Sequence, residues 1–439
     1  MRDPPTPPPL RFHVVSHLTG YNSTFRVPQS AAVPDHLSID GFGPLPIRTP
    51  ESVAELGDLV RGQVSVAEGI YPVGGGTQLH LGLVPSKPGL ALSTLKLNRV
   101  VDYPARDMTV TVQAGVRLAE LQRVLATEGQ WLPVDVPQPD RATVGGAVAA
   151  NSSGPRRLEQ GTLRDYVIGI GFVSDDGVEV KGGGRVVKNV AGYDLMKLHA
   201  GALGTLGVLT HLTLKVKPRP EASALVAFGV GAAAVGPTLD RLHASQARPV
   251  AVELLNREAA ARSGLPLPET DPWVILCGFE EKAVTVDWQV RELKAELAVA
   301  PVRDVTDFRD PAAWSALSEL QTGTDNGVSL KANVRPSAVA AFVSVAAQSD
   351  VAVHAHAGSG IVFVHVPHED KPDRAANLIA ALSKLTTVGN ANLVVTRCPS
   401  EWKSSLPVWG RDAGDRAVMR TVKRTLDPTD VFNPGRLWG

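Results

Sequence analysis

Two glycine-rich segments constrain the fold of this chain more than any other feature of its sequence. The first reads YPVGGGTQLHLG and runs from Tyr71 to Gly82, and the second reads TVGGAVAANSSG and runs from Thr143 to Gly154. Glycine costs about 0.5–1 kcal/mol relative to alanine in regular structure. Three glycines in a row therefore predict either a turn that the fold needs or a backbone that another group approaches closely.

Glycines flanked by small residues allow backbone N–H groups to converge on an anion. Two such loops in one domain suit a diphosphate, which needs many donors and little side-chain bulk. The spacing of the glycines does not match the dinucleotide fingerprint G-x-G-x-x-G. It does not match the P-loop either, because no Gly-Lys-Ser/Thr follows the glycines. A tight turn between strands explains the first loop equally well when it is taken alone. Arg141 comes shortly before the second loop, and Arg156 and Arg157 come shortly after it, either as added positive charge or as solvated surface arginines.

Composition excludes several classes of function. The 439 residues contain 44 Lys+Arg and 44 Asp+Glu, so we expect no nucleic-acid partner, which would require a basic surface. No signal peptide and no apolar run of about 18 residues is evident, so we expect no direct membrane span and a cytoplasmic protein, free or peripheral at the inner membrane through partners. Iron–sulfur clusters normally use four thiolates. Cys277 and Cys398 are therefore expected to be buried free thiols.

The first half of the chain predicts a mixed α/β domain. Residues 1–40 begin proline-rich and are expected to form an N-terminal extension. Thr49, Pro50 and Glu51 predict the start of a helix. The apolar GIYPV then predicts a strand, VRLAELQRVLATEG a helix, and YVIGIGFVSDDGVEVKGGG a hairpin. The prolines after GVLTHLTLKVK suggest a domain boundary at residue 218, which gives domains of residues 41–218 and 219–439.

The second half has a different rhythm, in which strand-like and helical segments are interleaved. Seven segments read as strands: SALVAFGV, PVAVELL, WVILCGF, VSLKANV, VAVHAHA, IVFVHV and NLVVTRC. Helical patterns such as AVTVDWQVRELKAEL and RAANLIAALSKL lie between several of them. We therefore expect an α+β arrangement, an antiparallel sheet that helices cover on one face.

Several segments along the chain resemble those of a known family. The segments PVGGGTQ, TVGGAVAANSSGPRRLEQGTLRDYVIGIGFV and GTLGVLTHLTLKVKPRP resemble the PCMH-type (vanillyl-alcohol oxidase-like) FAD-binding domain. GGRVVKNVAGYDLMKLHAGALGTLGVLT and the C-terminal LDPTDVFNPGR resemble, more closely, the small FAD-binding subunit of glycolate oxidase (glycolate dehydrogenase). The resemblance implies a PCMH-type FAD-binding domain of two α/β subdomains, followed by an antiparallel-sheet α+β cap domain.

The resemblance also implies which residues bind FAD. Residues 73–78 and 143–146 would wrap the diphosphate, and residues 151–154 with Gly161 would line the flavin. Gly207 and Val208 would lie by the far end of the cofactor, and Asn433 would approach the isoalloxazine. These residues are Val73, Gly74, Gly75, Gly76, Thr77, Gln78, Pro137, Thr143, Val144, Gly145, Gly146, Asn151, Ser152, Ser153, Gly154, Gly161, Gly207, Val208 and Asn433. Covalent flavin in this family commonly uses a histidine in the first loop. Because Thr77 and Gln78 follow the glycines here, we expect non-covalent FAD, with His80 as a surface or packing residue.

The sequence offers few catalytic candidates. Related single-chain 2-hydroxy-acid dehydrogenases carry a metal signature resembling H-x-G-D-G-N-x-H, and the corresponding stretch here is HAHAGSGIVFVHV. Ser359, Ile361 and Phe363 replace the Asp, Asn and last His, so we expect no metal. His354 and His356 are two residues apart and share a face of a strand. They are the candidate catalytic residues, either as base or as carboxylate ligands, and the alternative is a packed pair.

Four further polar residues are weaker candidates for the site. Lys331 and Arg335 are candidates for an anion site, because a 2-hydroxy-acid oxidase must hold a carboxylate. Lys188 and Tyr193 are typical of the family and are expected to be polar scaffolding near the flavin.

The resulting hypothesis is an FAD-binding subunit of a glycolate (2-hydroxy acid) oxidase or dehydrogenase complex. Its flavin would accept or relay electrons from a small 2-hydroxy acid. The resemblance implies two partners, a second FAD-binding 2-hydroxy-acid dehydrogenase subunit and an iron–sulfur subunit. The alternatives are a non-catalytic flavin or structural subunit of that complex, or a different FAD-dependent oxidoreductase on the same cofactor domain.

Overall fold

A computed structural model describes residues 35–184, 194–324, 327–368, 371–386, 391–411 and 414–437. Lys188 and Tyr193, the two candidates for polar scaffolding, lie outside the described residues. No helix within these ranges is long and apolar enough to cross a membrane.

The first sheet carries the first glycine loop at the end of a strand. Its strands are β1 (His36–Ile39), β2 (Phe42–Arg48), β3 (Gly69–Val73) and β4 (Gly89–Ser93), in the order β1-β2-β4-β3. The pairs of β2 and β3 with β4 are parallel, and helix α1 (Val53–Ser65) connects β2 to β3. The predicted helix start at Thr49 was wrong by a few residues. The N-cap is Ser52, whose side chain accepts a hydrogen bond from the Glu55 N–H.

The second sheet is antiparallel and holds the second glycine loop against its face. Its strands, in the order β5-β6-β10-β8-β9, are β5 (Val100–Asp102), β6 (Thr109–Gln113), β8 (Val167–Val173), β9 (Glu179–Gly183) and β10 (Val208–Lys215). A separate pair joins β7 (Gln130–Trp131) to β11 (Lys217–Pro218). The helices of this region are α2 (Leu118–Ala126), α3 (Val144–Ala150), α4 (Arg157–Gln160), α5 (Leu163–Tyr166) and α6 (Leu195–His199). The predicted hairpin, β8 to β9, is confirmed.

After Pro218 the chain builds a single eight-stranded antiparallel sheet, here called the cap sheet. Its order is β15-β12-β14-β13-β17-β18-β16-β19. The strands are β12 (Ala222–Val230), β13 (Ala251–Asn256), β14 (Trp273–Glu281), β15 (Val302–Phe308), β16 (Val328–Asn333), β17 (Ala352–His356), β18 (Ile361–Val366) and β19 (Asn392–Arg397). All seven predicted strands are present. The sequence analysis missed β15, an exposed edge strand with charged residues.

Helices cover both faces of the cap sheet, whereas the sequence predicted one. One face packs against α7 (Val235–His243), α9 (Ala283–Leu297), α11 (Val339–Ala346) and α12 (Asp373–Leu385). The other packs against α8 (Arg257–Ser263) and α10 (Ala312–Glu319). Short 3-10 turns lie at Ala105–Asp107, Ala232–Ala234, Leu320–Thr322, Pro336–Ala338, Ala347–Ser349, Ala357–Ser359 and Ser400–Trp402.

Cys277 and Cys398 are buried free thiols, as predicted.

The last described residues return from the cap sheet to the first sheet. Phe432 forms a parallel bridge with Ile70, and the Asn433 N–H donates to the Ile70 carbonyl at 2.8 Å. Helix α13 (Asp415–Leu426) fixes this segment through Lys423, whose ammonium pairs with Asp427 and donates to the Phe432 carbonyl at 2.9 Å. The C-terminal FNPGR motif therefore packs against the first sheet, although it follows the cap sheet in sequence.

Candidate active site and cofactor cradle

A cleft of about 710 Å³ lies where the two glycine loops face the cap sheet. Thr77 and Gln78 line it from the first loop, and Asn151 and Ser152 from the second. Lys331 lines it from the cap sheet. The volume lies within the roughly 300–1,000 Å³ range of small-molecule and cofactor sites.

The first glycine loop needs its glycines because the second loop packs directly against it. A Cβ at Gly74 would overlap the Thr143 hydroxyl, and one at Gly75 would overlap the Arg141 carbonyl oxygen. Gly76 has a φ of 70°, in the left-handed region that favours glycine. The two loops that the sequence treats separately are thus two walls of one structure, here called the cradle.

The second loop is built around the short helix α3. The Thr143 side chain caps this helix by accepting a hydrogen bond from the Gly146 N–H at 3.2 Å. Gly145 lies so close to Ala114 that a Cβ would be 2.7 Å from the alanine methyl group. Asn151 ends the helix at a φ of 48°. These constraints hold the loop in one conformation beside the cleft.

Free donors in the cradle fit a diphosphate-containing cofactor. Among the described residues, the N–H groups of residues 75–79 donate no hydrogen bond to another protein atom. Asn151 of the second loop also lines the cleft, and its side-chain oxygen, an acceptor, is buried without a hydrogen-bond partner in the same set. Unpaired polar groups at such positions are costly unless a ligand or water satisfies them. The cradle therefore has the donors, the space and the exclusion of side chains that FAD requires.

The predicted cofactor residues fall into three groups by position. Those that line the cleft are Thr77, Gln78, Pro137, Asn151, Ser152 and Ser153. Those that form the loops behind this lining are Val73, Gly74, Gly75, Gly76, Thr143, Val144, Gly145, Gly146 and Gly154. The third group, Gly161, Gly207, Val208 and Asn433, is not among the residues that line the described part of the cleft. The cofactor roles of all of them stay predictions.

Asn433 and Gly207 of the third group contact the backbone around them. The Asn433 side-chain amide donates to the Leu203 carbonyl at 2.6 Å, and Leu203 lines the cleft. Gly207 has a φ of 141° and packs against Val173 at the start of β10. Val208 is fully buried in the core of the first sheet.

The cap side of the cleft is positively charged. Its lining contains four cations, Lys331, Arg397, Arg411 and Arg416, and one carboxylate, Asp415. Lys331 on β16 is directly opposite Phe363 on the neighbouring strand β18 and Val394 on the other neighbour, β19. Burial, with a smaller contribution from Arg157, lowers the pKa of Lys331 to about 8. Arg335, the other predicted anion candidate, is exposed and does not line the described cleft.

Arg397 connects the cap sheet to the first glycine loop. Its Nη2 donates to Nδ1 of His80 at 3.3 Å. Burial, followed by Arg397 and Lys403, lowers the pKa of His80 to about 3, so the imidazole is neutral and accepts this bond. The sequence analysis missed Arg397, because nothing in NLVVTRC separates it from any arginine at the end of a strand.

Models of two protein families match the chain. The FAD binding domain matches residues 44–183, and the C-terminal domain of FAD linked oxidases matches residues 409–437. The chain is an FAD-dependent oxidoreductase. The two matches cover the cradle and the C-terminal segment that docks beside it.

Three curated proteins show what this oxidoreductase is similar to in sequence. Glycolate oxidase subunit GlcD of Bacillus subtilis is 28% identical over 399 residues, which cover 84% of this chain and 83% of GlcD. D-2-hydroxyglutarate dehydrogenase of Xanthomonas citri is 27% identical over 90% of this chain and 89% of the relative. Glycolate oxidase subunit GlcE of Escherichia coli is 42% identical over 125 residues, 28% of this chain and 36% of GlcE.

Comparison with solved structures shows the fold. The p-cresol methylhydroxylase structure superposes with a TM-score of 0.67 at 14% identity, covering 89% of this chain and 88% of that one. This likeness identifies the fold of the flavoenzyme as that of PCMH-type FAD-binding proteins, and the predicted α+β class is confirmed.

In this oxidoreductase the two candidate catalytic histidines lie behind the cleft lining. His354 and His356 on β17 are each 1% exposed. The His354 ring stacks on Phe363, with centroids 4.6 Å apart, and it is Phe363 that lines the cleft. His356 Nδ1 lies 2.7 Å from a carboxylate oxygen of Glu253. The catalytic role of both histidines stays a prediction.

A buried polar cluster surrounds these histidines. Neither nitrogen of His354 has a hydrogen-bond partner within the described chain, and burial holds the pKa of His354 well below its usual range. His365 Nδ1 lies 2.9 Å from the Ser329 hydroxyl. No group of three or more His, Cys, Asp or Glu residues in the described ranges is arranged to hold a metal ion.

Proposed function

We propose that this FAD-dependent oxidoreductase acts on a small 2-hydroxy acid, as the FAD-binding subunit of a glycolate oxidase or dehydrogenase type of complex. The observation that carries the proposal is the cleft in which the cradle faces Lys331 on the cap sheet. A 2-hydroxy acid needs a cation for its carboxylate beside the redox cofactor. The names of the relatives, two glycolate oxidase subunits and a 2-hydroxyglutarate dehydrogenase, support the same substrate class.

In this proposal the chain itself supplies binding and orientation. Bound FAD supplies the hydride acceptor for the carbon that bears the hydroxyl. Lys331 holds the substrate carboxylate, and Arg397, kept in place by His80, adds positive charge at the adjacent wall. His354 and His356 remain the proposed histidines for the hydroxyl proton. Phe363 must move for His354 to reach the cleft.

The domain assignment and the form of the cofactor belong to this proposal. The assignment is an extension of residues 1–40, whose end contributes β1 to the first sheet, an FAD-binding domain of residues 41–218 and a cap of residues 219–439. FAD is bound non-covalently, and the bond between His80 and Arg397 supports this by occupying one ring nitrogen. Acid precipitation of the purified holoprotein should release all flavin into the supernatant. Flavin retained in the pellet would contradict the non-covalent assignment.

The proposed partners are a second FAD-binding 2-hydroxy-acid dehydrogenase subunit and an iron–sulfur subunit. Similarity to two differently named glycolate oxidase subunits, GlcD and GlcE, supports a multi-subunit assembly. The chain has only two cysteines, so a cluster with four thiolate ligands would have to reside on another subunit.

The second candidate function is a non-catalytic flavin subunit of the same complex. It is favoured by the buried position of the histidines and by Phe363, which stands where the related signature has its last histidine. In that case the flavin of this chain relays electrons, or the chain has a scaffolding role.

Anaerobic flavin absorbance separates the two candidates. The FAD-loaded chain is mixed with glycolate, D-lactate or D-2-hydroxyglutarate, alone and with the partner subunits. Loss of the oxidised-flavin band in the isolated chain supports catalysis. Reduction only after the partners are added supports the relay function. Lys331→Met should abolish direct reduction, and the matched control is Lys181→Met, whose side chain is 71% exposed on β9. No reduction under any condition, at full FAD occupancy, would overturn the proposal.

A further inference from the structure

Two buried cations bind five consecutive carbonyl groups at the end of the first glycine loop, those of residues 79–83. The Arg436 guanidinium donates to the carbonyls of Leu79, Leu81 and Leu83, the bond to Leu81 being 2.6 Å. The Lys403 ammonium donates to the two between them, those of His80 at 2.7 Å and Gly82 at 2.6 Å. Odd-numbered carbonyls therefore bind one cation and even-numbered carbonyls the other, so that residues 79–83 lie between Arg436 and Lys403.

One carboxylate joins the two cations. Asp40 Oδ2 accepts from Lys403 at 2.8 Å and from Arg436 at 2.6 Å. The three side chains are at most 6% exposed. A single carboxylate balances only one of the two charges, and a buried charge without compensation is strongly unfavourable. The carbonyl dipoles of residues 79–83 supply the remaining compensation, so this arrangement is a specific structure and not a chance surface contact.

The backbone of Arg436 binds the same segment. Its carbonyl accepts from the Leu83 N–H at 2.9 Å and from the Trp409 indole at 3.2 Å. Gly82 has a φ of 98°, and a Cβ there would lie 2.6 Å from the Arg436 carbonyl oxygen. The segment is therefore fixed from both its carbonyl and its amide side.

Asp40, Lys403 and Arg436, here called the clamp, fix the far end of the loop that provides the free donors of the cradle. The near end of the loop, at Val73, is fixed by the pairing of β3 with β4. Residues 75–79, whose N–H groups lack protein partners in the described chain, lie between the two fixed ends. A loop with three adjacent glycines has many alternative conformations, and fixing both of its ends removes most of them.

We propose that Arg436 and Lys403, joined by Asp40, are positioning residues that hold the FAD cradle in its binding conformation. The C-terminal FNPGR segment would then control whether the chain can retain FAD, although it belongs to a different part of the sequence from the glycine loop. The proposal concerns cofactor binding alone and is independent of the 2-hydroxy-acid assignment.

The test uses flavin-depleted full-length protein and measures the Kd for FAD by quenching of flavin fluorescence. We expect Arg436→Met and Lys403→Met to weaken FAD binding at least about tenfold, which corresponds to about 1.4 kcal/mol. Asp40→Asn should act in the same direction. Arg374→Met is the matched control, because Arg374 also donates to backbone carbonyls, those of Ser349 and Asp350, and none of the three lines the described cleft.

A second measurement separates positioning from general stabilisation. The thermal midpoint of each variant is compared with and without saturating FAD. A positioning role predicts that the gain in midpoint on adding FAD shrinks in the clamp variants and is unchanged in Arg374→Met. If Arg436→Met does not fold, Arg436→Lys, which keeps the charge but loses the guanidinium fork, decides the question by its FAD affinity. Wild-type FAD affinity in folded clamp variants would overturn the proposal, and no 2-hydroxy acid enters either measurement.

Discussion

Lys331 is a partly buried ammonium that faces the cleft without an acidic partner among the described residues. Because burial lowers its pKa to about 8, its charge is present below that pH and lost above it. We expect binding of a small carboxylate such as oxalate to weaken as pH rises through about 8. One pH unit above the pKa only about a tenth of the lysine is still charged. Perturbation of the flavin absorbance spectrum would report the Kd.

Two substitutions of Lys331 test whether its charge holds the carboxylate, since methionine is never charged and arginine stays charged throughout this pH range. Lys331→Met should weaken oxalate at least about tenfold at pH 7 and remove the pH dependence. Lys331→Arg should bind with little dependence on pH, since a guanidinium stays charged throughout this range. Unchanged oxalate affinity in Lys331→Met, with FAD fully bound, would show that another group holds the carboxylate.

At the residue scale the sequence identified Lys331 but not Arg397. Lys331 was already a candidate for an anion site, because the site must hold the carboxylate of a 2-hydroxy acid. Arg397 matters because it reaches His80, which is 317 positions away in the chain. No periodicity or local motif records a contact at that separation. The clamp contact between Asp40 and Arg436 spans 396 positions and could not be predicted from the sequence for the same reason.

The glycine loops provide the first prediction at the scale of elements. Gly75→Ala places a methyl group on the Arg141 carbonyl, so the two loops must separate. We expect this variant to lose FAD binding and to unfold at lower denaturant concentration. Gly62→Ala is the control, because Gly62 lies within α1 with nothing within 4 Å of the added Cβ. It should raise the free energy of unfolding by about 0.5–1 kcal/mol. Equal FAD affinities in both variants would contradict the packed-loop arrangement.

Elements were predictable from sequence where local pattern and tertiary structure agree. The strand before the glycines, β3, has the bounds of GIYPV because it is buried and ends at the loop. The start of α1 was misplaced because Thr49, Pro50 and Ser52 all offer N-terminal signals, and the Ser52 hydroxyl makes the capping bond. β15 was missed because its exposed residues show no apolar alternation. It is held by pairing with β12, a long-range contact.

Strands β13 and β17 give a second prediction at this scale, on the pH dependence of stability. Burial raises the pKa of Glu253, and His356 opposes the shift. A carboxyl with a raised pKa in the folded state stabilises the fold below its unfolded pKa. That contribution is lost as pH rises toward the folded value. Thermal midpoints of the wild type should therefore fall from acidic to neutral pH more than those of Glu253→Gln, which cannot ionise. A parallel decline in the two proteins would contradict a raised pKa for Glu253.

At the scale of the whole molecule, the described domains are tied together by the returning C-terminal segment and by a buried ion cluster. Arg156, two residues after the second glycine loop, pairs with Asp135 in the cofactor domain and makes two hydrogen bonds of 2.7 and 2.8 Å to Glu280 on β14. Its guanidinium also lies 4.0 Å from the centroid of the Trp314 ring. The sequence analysis left Arg156 open between a cofactor contact and a solvated residue, and the structure places it in this inter-domain cluster.

The size of the effect of removing Arg156 follows from burial. The side chains of Asp135 and Glu280 are 6% and 3% exposed, so Arg156→Met leaves two buried carboxylates without their cation. Loss of one partner of a buried pair costs about 3–5 kcal/mol, whereas exposed pairs contribute about 0–1 kcal/mol. We therefore expect a large drop in the midpoint of unfolding in guanidinium chloride. Tryptophan fluorescence would monitor the unfolding, since Trp314 stacks on the missing group.

The control is Arg309→Met, which breaks the exposed pair with Asp287 and should leave the midpoint nearly unchanged. Adding Glu280→Gln to Arg156→Met should recover part of the loss, because it removes one of the stranded charges. Equal midpoints for the Arg156 and Arg309 variants would show that the cluster does not couple the two domains.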